Sequence, residues 1–101
     1  MTETYIAEFL AIARHLKRQK NALIKGNFLI IEKPKLTELL NRNQYETAEN
    51  KLLVWRGLKW IDTDSDDRLT KRIRNGEQQL IRAIAMDLTV YDTLSAIQKR
   101  Q

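Results

Sequence analysis

The stretch from Leu36 to Asp64, LTELLNRNQYETAENKLLVWRGLKWIDTD, constrains the fold more than any other part of the chain. Leu39 and Leu40 close a short apolar helix, and Asn41, Arg42 and Asn43 break it. On the helix that follows, Ala48, Leu52 and Trp55 recur at the three-and-four spacing of one helical face. Gln44, Thr47, Asn50 and Lys51 are placed opposite, a row of hydrogen-bonding side chains with nothing apolar among them. Ile61, shortly after Trp55, opens a strand of Ile-Asp-Thr-Asp. Such a second helix is held by its apolar side and leaves its polar side free.

The flanks supply a core for these elements. Glu3 to Lys20 reads as a first helix with Tyr5, Phe9, Ile12 and Leu16 in one stripe, widened by Ile6, Leu10 and Ala13. Arg14, Lys17, Arg18 and Lys20 make its last turns positive, which suits the negative end of the helix dipole. Asn21 to Asn27, with Gly26, reads as a connection, and the partly β-branched run Phe28 to Ile31 as a strand. Pro34 fits the first turn of a helix that runs to about Leu40, where a missing N–H costs nothing. The second helix of the pair is expected from Tyr45 to about Lys59.

After Asp64 two readings compete. Asn75-Gly76 is a two-residue hairpin signal, because both residues tolerate the positive φ of a type I′ turn. Arg68 to Arg74 alternates before it, with Leu69 and Ile73 spaced as on one strand face. Leu80 to Met86 follows, and its helix formers would instead join a long helix from Glu77 to Lys99. The hairpin is preferred, since a returning strand can pair with the earlier short strand and present Ile84, Met86 and Leu88 inward. Thr89 and Asp92 then have capping-box spacing for a short last helix carrying Tyr91, Leu94 and Ile97 back to the core.

The spacing Leu40, Ala48, Leu52, Trp55, Trp60, Ile61 resembles that of the winged helix-turn-helix superfamily of small DNA-binding proteins. The resemblance covers most of the chain and implies one α+β domain over residues 1–101, with a three-helix core, a short strand, a β-hairpin wing and a short C-terminal helix. Two departures stand out: Asn41-Arg42-Asn43 replaces a tight glycine turn, and Lys59 stands where a glycine often ends the second helix. A looser likeness, through KLLVWRGLKWIDTD and RLTKRIR, is to small accessory DNA-binding proteins of conjugative plasmids of the TcpK type. It implies action at or near a transfer origin, beside a relaxase or another transfer-complex protein. A small transcriptional regulator and a winged helix used for protein interaction are the alternatives.

Composition sets outer bounds. The 101 residues suffice for one modest core, and 43% hydrophobic with 31% charged residues argues against disorder. No apolar run approaches the roughly 20 residues of a membrane helix. Glu3 and Glu8 interrupt any signal-peptide pattern, so a cytoplasmic, non-membrane protein is expected. Having no cysteine, the chain has no disulfide, thiolate metal site or cysteine nucleophile. A net charge of +5 favours a polyanionic partner, although many small domains carry such a charge for solubility alone.

Double-stranded DNA is the expected partner. Asn50 and Gln44 can bond adenine edges in pairs, Lys51 can reach guanine or phosphate, and Thr47 shares their face. Tyr45 either touches a phosphate or base or staples the start of the helix, and Lys35 is added from the preceding helix. Glu46 and Glu49 oppose Lys51, so the positive charge lies mainly on the hairpin, in Arg68, Lys71, Arg72 and Arg74 with Asn75 at its tip and Arg82 facing them. An Arg-rich ribbon can follow a phosphate track or enter a narrow minor groove. A solvated helix face and a charged edge hairpin are the plainer accounts of the same residues. One small domain reads few base pairs, so a homodimer on repeated half-sites is expected as well.

Other constellations lead nowhere chemical. Asp62, Asp64, Asp66 and Asp67 suggest a calcium loop, but Asp67 and Ile73 stand where it requires Gly and Glu. His15 has neither a triad partner nor a second histidine, and Trp55 and Trp60 belong to the apolar pattern. Without a Gly-rich phosphate loop, a ligand cluster or a nucleophile-base pair around Ser65 or Ser95, no catalysis and no cofactor are expected.

Overall fold

Three-and-four apolar spacing in the helices and period-two spacing in the last strand give a helical layer packed on one face of an antiparallel sheet. The structure, a computed structural model, describes residues 2–64 and 68–99. Among the described residues the order is α1 (Thr2–Lys17), β1 (Leu23–Lys25), β2 (Phe28–Ile31), α2 (Lys33–Leu40), α3 (Ala48–Gly57), β3 (Ile61–Asp62), β4 (Lys71–Arg74), β5 (Leu80–Asp87) and α4 (Leu88–Lys99). The class is α+β, and no described helix is long and apolar enough to cross a membrane.

β5 organises the sheet. β2 pairs with its second half (Leu29 opposite Met86, Ile31 opposite Ile84), and β3 pairs with the same half through Ile61 and Met86. β4 pairs with the first half, setting Arg72 opposite Arg82 and Arg74 opposite Leu80, while β1 forms a hairpin with β2. Alternation along β5 then sorts side chains by face. Ile84 and Met86 join Leu29, Ile31 and Ile61 beneath the helices, whereas Ala83 and Ala85 join Ile30 on the far face. At the centre of the helical side, Phe9 meets Trp55 edge-on at 5.0 Å between ring centroids and Trp60 at 5.2 Å.

Several expected boundaries shift for local reasons. α1 ends at Lys17 rather than Lys20, because the chain turns through Gln19 to reach β1, a strand inside the expected connection. α3 begins at Ala48 rather than Tyr45, since the Thr47 hydroxyl caps it by accepting from the Asn50 N–H at 3.2 Å. Its end is a Schellman turn: the Trp60 N–H donates to the Trp55 carbonyl at 2.8 Å while Lys59 sits at φ 64. Lys59 therefore takes the left-handed position that glycine usually fills.

The hairpin forms, and residues 80–87 are a strand despite their helix formers. Pairing with β2, β3 and β4 outweighs a propensity difference of a few tenths of a kcal/mol per residue. Asn75-Gly76 is not a two-residue turn. The loop runs from Asn75 to Gln79, with positive φ at Gln78 (65°) and the Asn75 side chain accepting from the N–H groups of Glu77 (2.9 Å) and Gln79 (3.0 Å). Leu69 packs in the main core and Ile73 in the far-face cluster, so they do not share a strand face. α4 is capped by Asp87, which accepts from the N–H groups of Thr89 (2.8 Å) and Val90 (3.3 Å), rather than by Thr89. Leu88 becomes its first residue, Tyr91 and Leu94 reach the core, and Ile97 is exposed.

Candidate nucleic-acid interface

Lys51 is not on the open face of α3. Its side chain is fully buried, and its Nζ donates to Glu8 Oε2 at 3.0 Å, to the Leu40 carbonyl at 2.7 Å and to the Asn43 carbonyl. The physical reason is its position three residues after Ala48 and four before Trp55, which points its stem into the core. Glu8 also accepts from the Tyr45 hydroxyl at 2.6 Å and from the Asn43 side-chain amide at 3.3 Å. The Tyr45 ring stacks edge-on against Tyr5 with the Lys51 ammonium over it at 4.2 Å. Burial, followed by the bond to Glu8, pushes the Tyr45 hydroxyl well above the usual phenol pKa. Lys51, Tyr45 and Asn43 thus tie the α2–α3 connection to α1, in the place a glycine turn would otherwise define. The carbonyls of Leu40 and Asn43 on the ammonium, and the Tyr45 hydroxyl and Asn43 amide on the carboxylate, offset part of the desolvation of the pair.

What α3 shows to solvent differs from the expected row. Glu49, Asn50 and Leu53 are exposed, so the open face carries an acid and an apolar side chain. Asn50 donates through its side-chain amide to Glu46 at 3.1 Å, and Glu49 lies 3.4 Å from Lys33. The Thr47 N–H, then the Asn50 amide, hold the Glu46 carboxyl below the usual carboxylate range. Thr47 is occupied as the cap, Gln44 is exposed in the connection, and Lys35 on α2 donates to Gln19 of α1 at 3.2 Å.

The β4–β5 ribbon separates its cations by face. Arg82 has the same parity as Ile84 and Met86, so it lies on the helical side of the sheet, and its cross-strand partner Arg72 lies there too. Arg74, two residues on, shares that face opposite Leu80, with one guanidinium nitrogen donating to the Gln78 carbonyl at 3.0 Å. All three arginines are exposed. Lys71 points the other way, where it pairs with Asp62 and lies 5.8 Å from the Phe28 ring centroid. Asp64 braces the ribbon base, accepting the Arg72 N–H at 3.1 Å and lying 3.8 Å from Arg82. Arg56 of α3 donates to the Arg68 carbonyl at 3.3 Å, joining the end of that helix to the same region. Asp66 and Asp67 of the acidic run, and Ser65, lie outside the described residues.

The structure therefore brings Arg72, Arg74 and Arg82 onto one ribbon face, leaves Arg68 exposed in the segment before β4, and removes Lys51, Tyr45 and Lys71 from that surface. Asn75 is engaged in its own loop. His15 is exposed, with its Nε2 3.4 Å from the Gln19 amide. Sequence reasoning missed Glu8 as the counter-ion of Lys51. The signal was present, since Lys51 sits at a core position and Glu8 sits between Tyr5 and Phe9. Compared with known proteins, the chain matches no family model and no curated sequence.

Proposed function

We propose that the chain is a winged helix-turn-helix domain that binds double-stranded DNA, with the arginine face of the β4–β5 ribbon as its main anchor. The observation carrying this reading is the convergence of Arg72, Arg74 and Arg82 on one ribbon face, on the side of the sheet that bears the helices. Planar guanidinium groups suit phosphate forks and narrow minor grooves. The winged reading is supported by strand order: β2, between the first two helices, pairs with the returning strand β5, and β3 pairs with that strand as well. Sequence preference would come from Asn50 at the start of α3 and Gln44 in the connection before it. Titration of random duplexes at low salt tests the reading, and affinity weaker than about 10⁻⁴ M overturns it.

The resemblance to conjugation accessory proteins supports a role at a transfer origin of a mobile element, helping a relaxase, in the cytoplasm and as a dimer on repeated half-sites. A small transcriptional regulator would use the same contacts, and the bound sequence separates the two. Binding rather than catalysis is the proposed activity.

One observation favours a second reading, docking of another protein on α3. Leu53, one turn from the acidic Glu49, is 40% exposed, and Leu58 at the end of the helix is 47% exposed. A pull-down with Leu53→Asp as control distinguishes it, because DNA binding through the ribbon is insensitive to that change.

A further inference from the structure

A second group of cations lies between α1 and α4. Arg14, Arg18, Tyr91, Asp92, Ser95 and Lys99 line much of a cleft of about 520 Å³. Lys17 adds a fourth cation, 4.7 Å from the Tyr91 ring centroid. Asp92 is the acid among the lining residues, and among the described residues none of the four cations has a carboxylate within 4.0 Å. The Ser95 hydroxyl is buried beside the Tyr91 hydroxyl, its one loose partner, and keeps capacity for a further bond. Arg14 beside the Tyr91 hydroxyl holds its pKa below the usual phenol value, so the cleft favours negative charge at that oxygen.

Cations in the last turns of α1 also complement that helix's dipole. Lys99 stands likewise in the last turn of α4, but that role does not account for the two helix ends opening on one cleft.

We infer that the α1–α4 cleft binds a phosphate group, held by Arg14 and Arg18 with Lys17 and Lys99 around it and the Ser95 hydroxyl donating to one oxygen. Two forked guanidinium groups match the geometry of a phosphate better than point charges do. The phosphate belongs either to a free phosphorylated small molecule or to a nucleic-acid backbone. The site does not depend on the ribbon, so this inference stands apart from the DNA reading.

The test is an amide-resolved NMR titration of the full chain with inorganic pyrophosphate. Saturable shifts centred on Arg18, Tyr91 and Ser95 are expected. Arg14→Gln with Arg18→Gln weakens binding by about tenfold or more, and Ser95→Ala by about three- to tenfold. Ser95→Ala keeps the fold, because it deletes one hydroxyl with a single loose partner and puts a good helix former in its place. Arg72→Ala with Arg74→Ala leaves pyrophosphate binding unchanged whether or not it abolishes duplex binding. In that ribbon variant, displacement of pyrophosphate by a short random duplex assigns the phosphate to a backbone, and failure to displace assigns it to a small molecule. Absence of saturable shifts at the cleft overturns the inference. Equal displacement by a polyglutamate peptide, or wild-type binding by both cleft variants, does so too.

Discussion

Lys51 and Glu8 form an ion pair at 3.0 Å with almost no solvent on either side chain, and it fastens α3 to α1 across the α2–α3 connection. Such a pair is weak support for net stability, yet removal of one partner strands the other charge in the core. Lys51→Met should therefore cost about 3–5 kcal/mol in urea unfolding, as should Glu8→Leu. The double variant should recover much of that loss. If each single change costs under about 0.5 kcal/mol, the typical surface value, the pair is not buried in solution.

Tyrosine titration follows from the same packing. Tyr45 is held above the usual phenol value of 10.0, chiefly by burial and then by its bond to Glu8, whereas Tyr91 is held below it by Arg14. Tyr91 should ionise before Tyr45 when ring-carbon shifts are followed through alkaline pH. The stability consequences have opposite signs. The contribution of Tyr45 is fully present below 10.0 and is lost as pH rises toward its folded pKa, so wild type loses stability against Tyr45→Phe in that window. The contribution of Tyr91 is present above 10.0 and is lost as pH falls through its depressed pKa. Reversal of the ionisation order contradicts both environments.

Lys59 at φ 64 carries a strain that glycine would not. The Schellman bonds at 2.8 Å and 3.0 Å keep the backbone in place, so the change acts on conformation alone. Lys59→Gly is expected to raise stability by about 1 kcal/mol, read as a shifted urea midpoint with an unchanged slope. A loss of stability would mean that the lysine stem packs on Trp60 or its neighbours more than the backbone resists it.

Local patterns in the chain announce its elements better than its site. The stripes of α1, the Pro34 helix and the alternation of Ile84 and Met86 are local, and each element lies within a few residues of its expected place. The strand from Leu80 was legible through its turn signal rather than its propensity, and the turn itself lengthened because the left-handed residue is Gln78, not Gly76. Lys51 was misplaced for a different reason. A lysine at a core position is explained only by a carboxylate that sequence distance hides, and Glu8 lies 43 residues earlier. The division of Lys71 from Arg72 followed strand parity and was available in principle, but it needed the register with β5 to say which face meets the helices.

That division gives the sharpest test of the ribbon. Each phosphate neutralised by a cation adds about 0.9 to the logarithmic salt slope of duplex binding. Arg72→Ala with Arg74→Ala should weaken binding to all sequences and flatten the slope by up to about 2. Lys71→Ala should leave the slope nearly unchanged, because that ammonium faces away and is occupied by Asp62. Glu49→Gln on the open face of α3 should strengthen binding, since it removes a charge that repels phosphate. Asn50→Ala should spare the slope and blunt sequence preference by about 1–3 kcal/mol if its amide leaves Glu46 for a base edge. An equal loss of slope in Lys71→Ala and in Arg72→Ala would place DNA on the other face of the ribbon. No loss in the double arginine variant would move the anchor to the cationic turns of α1.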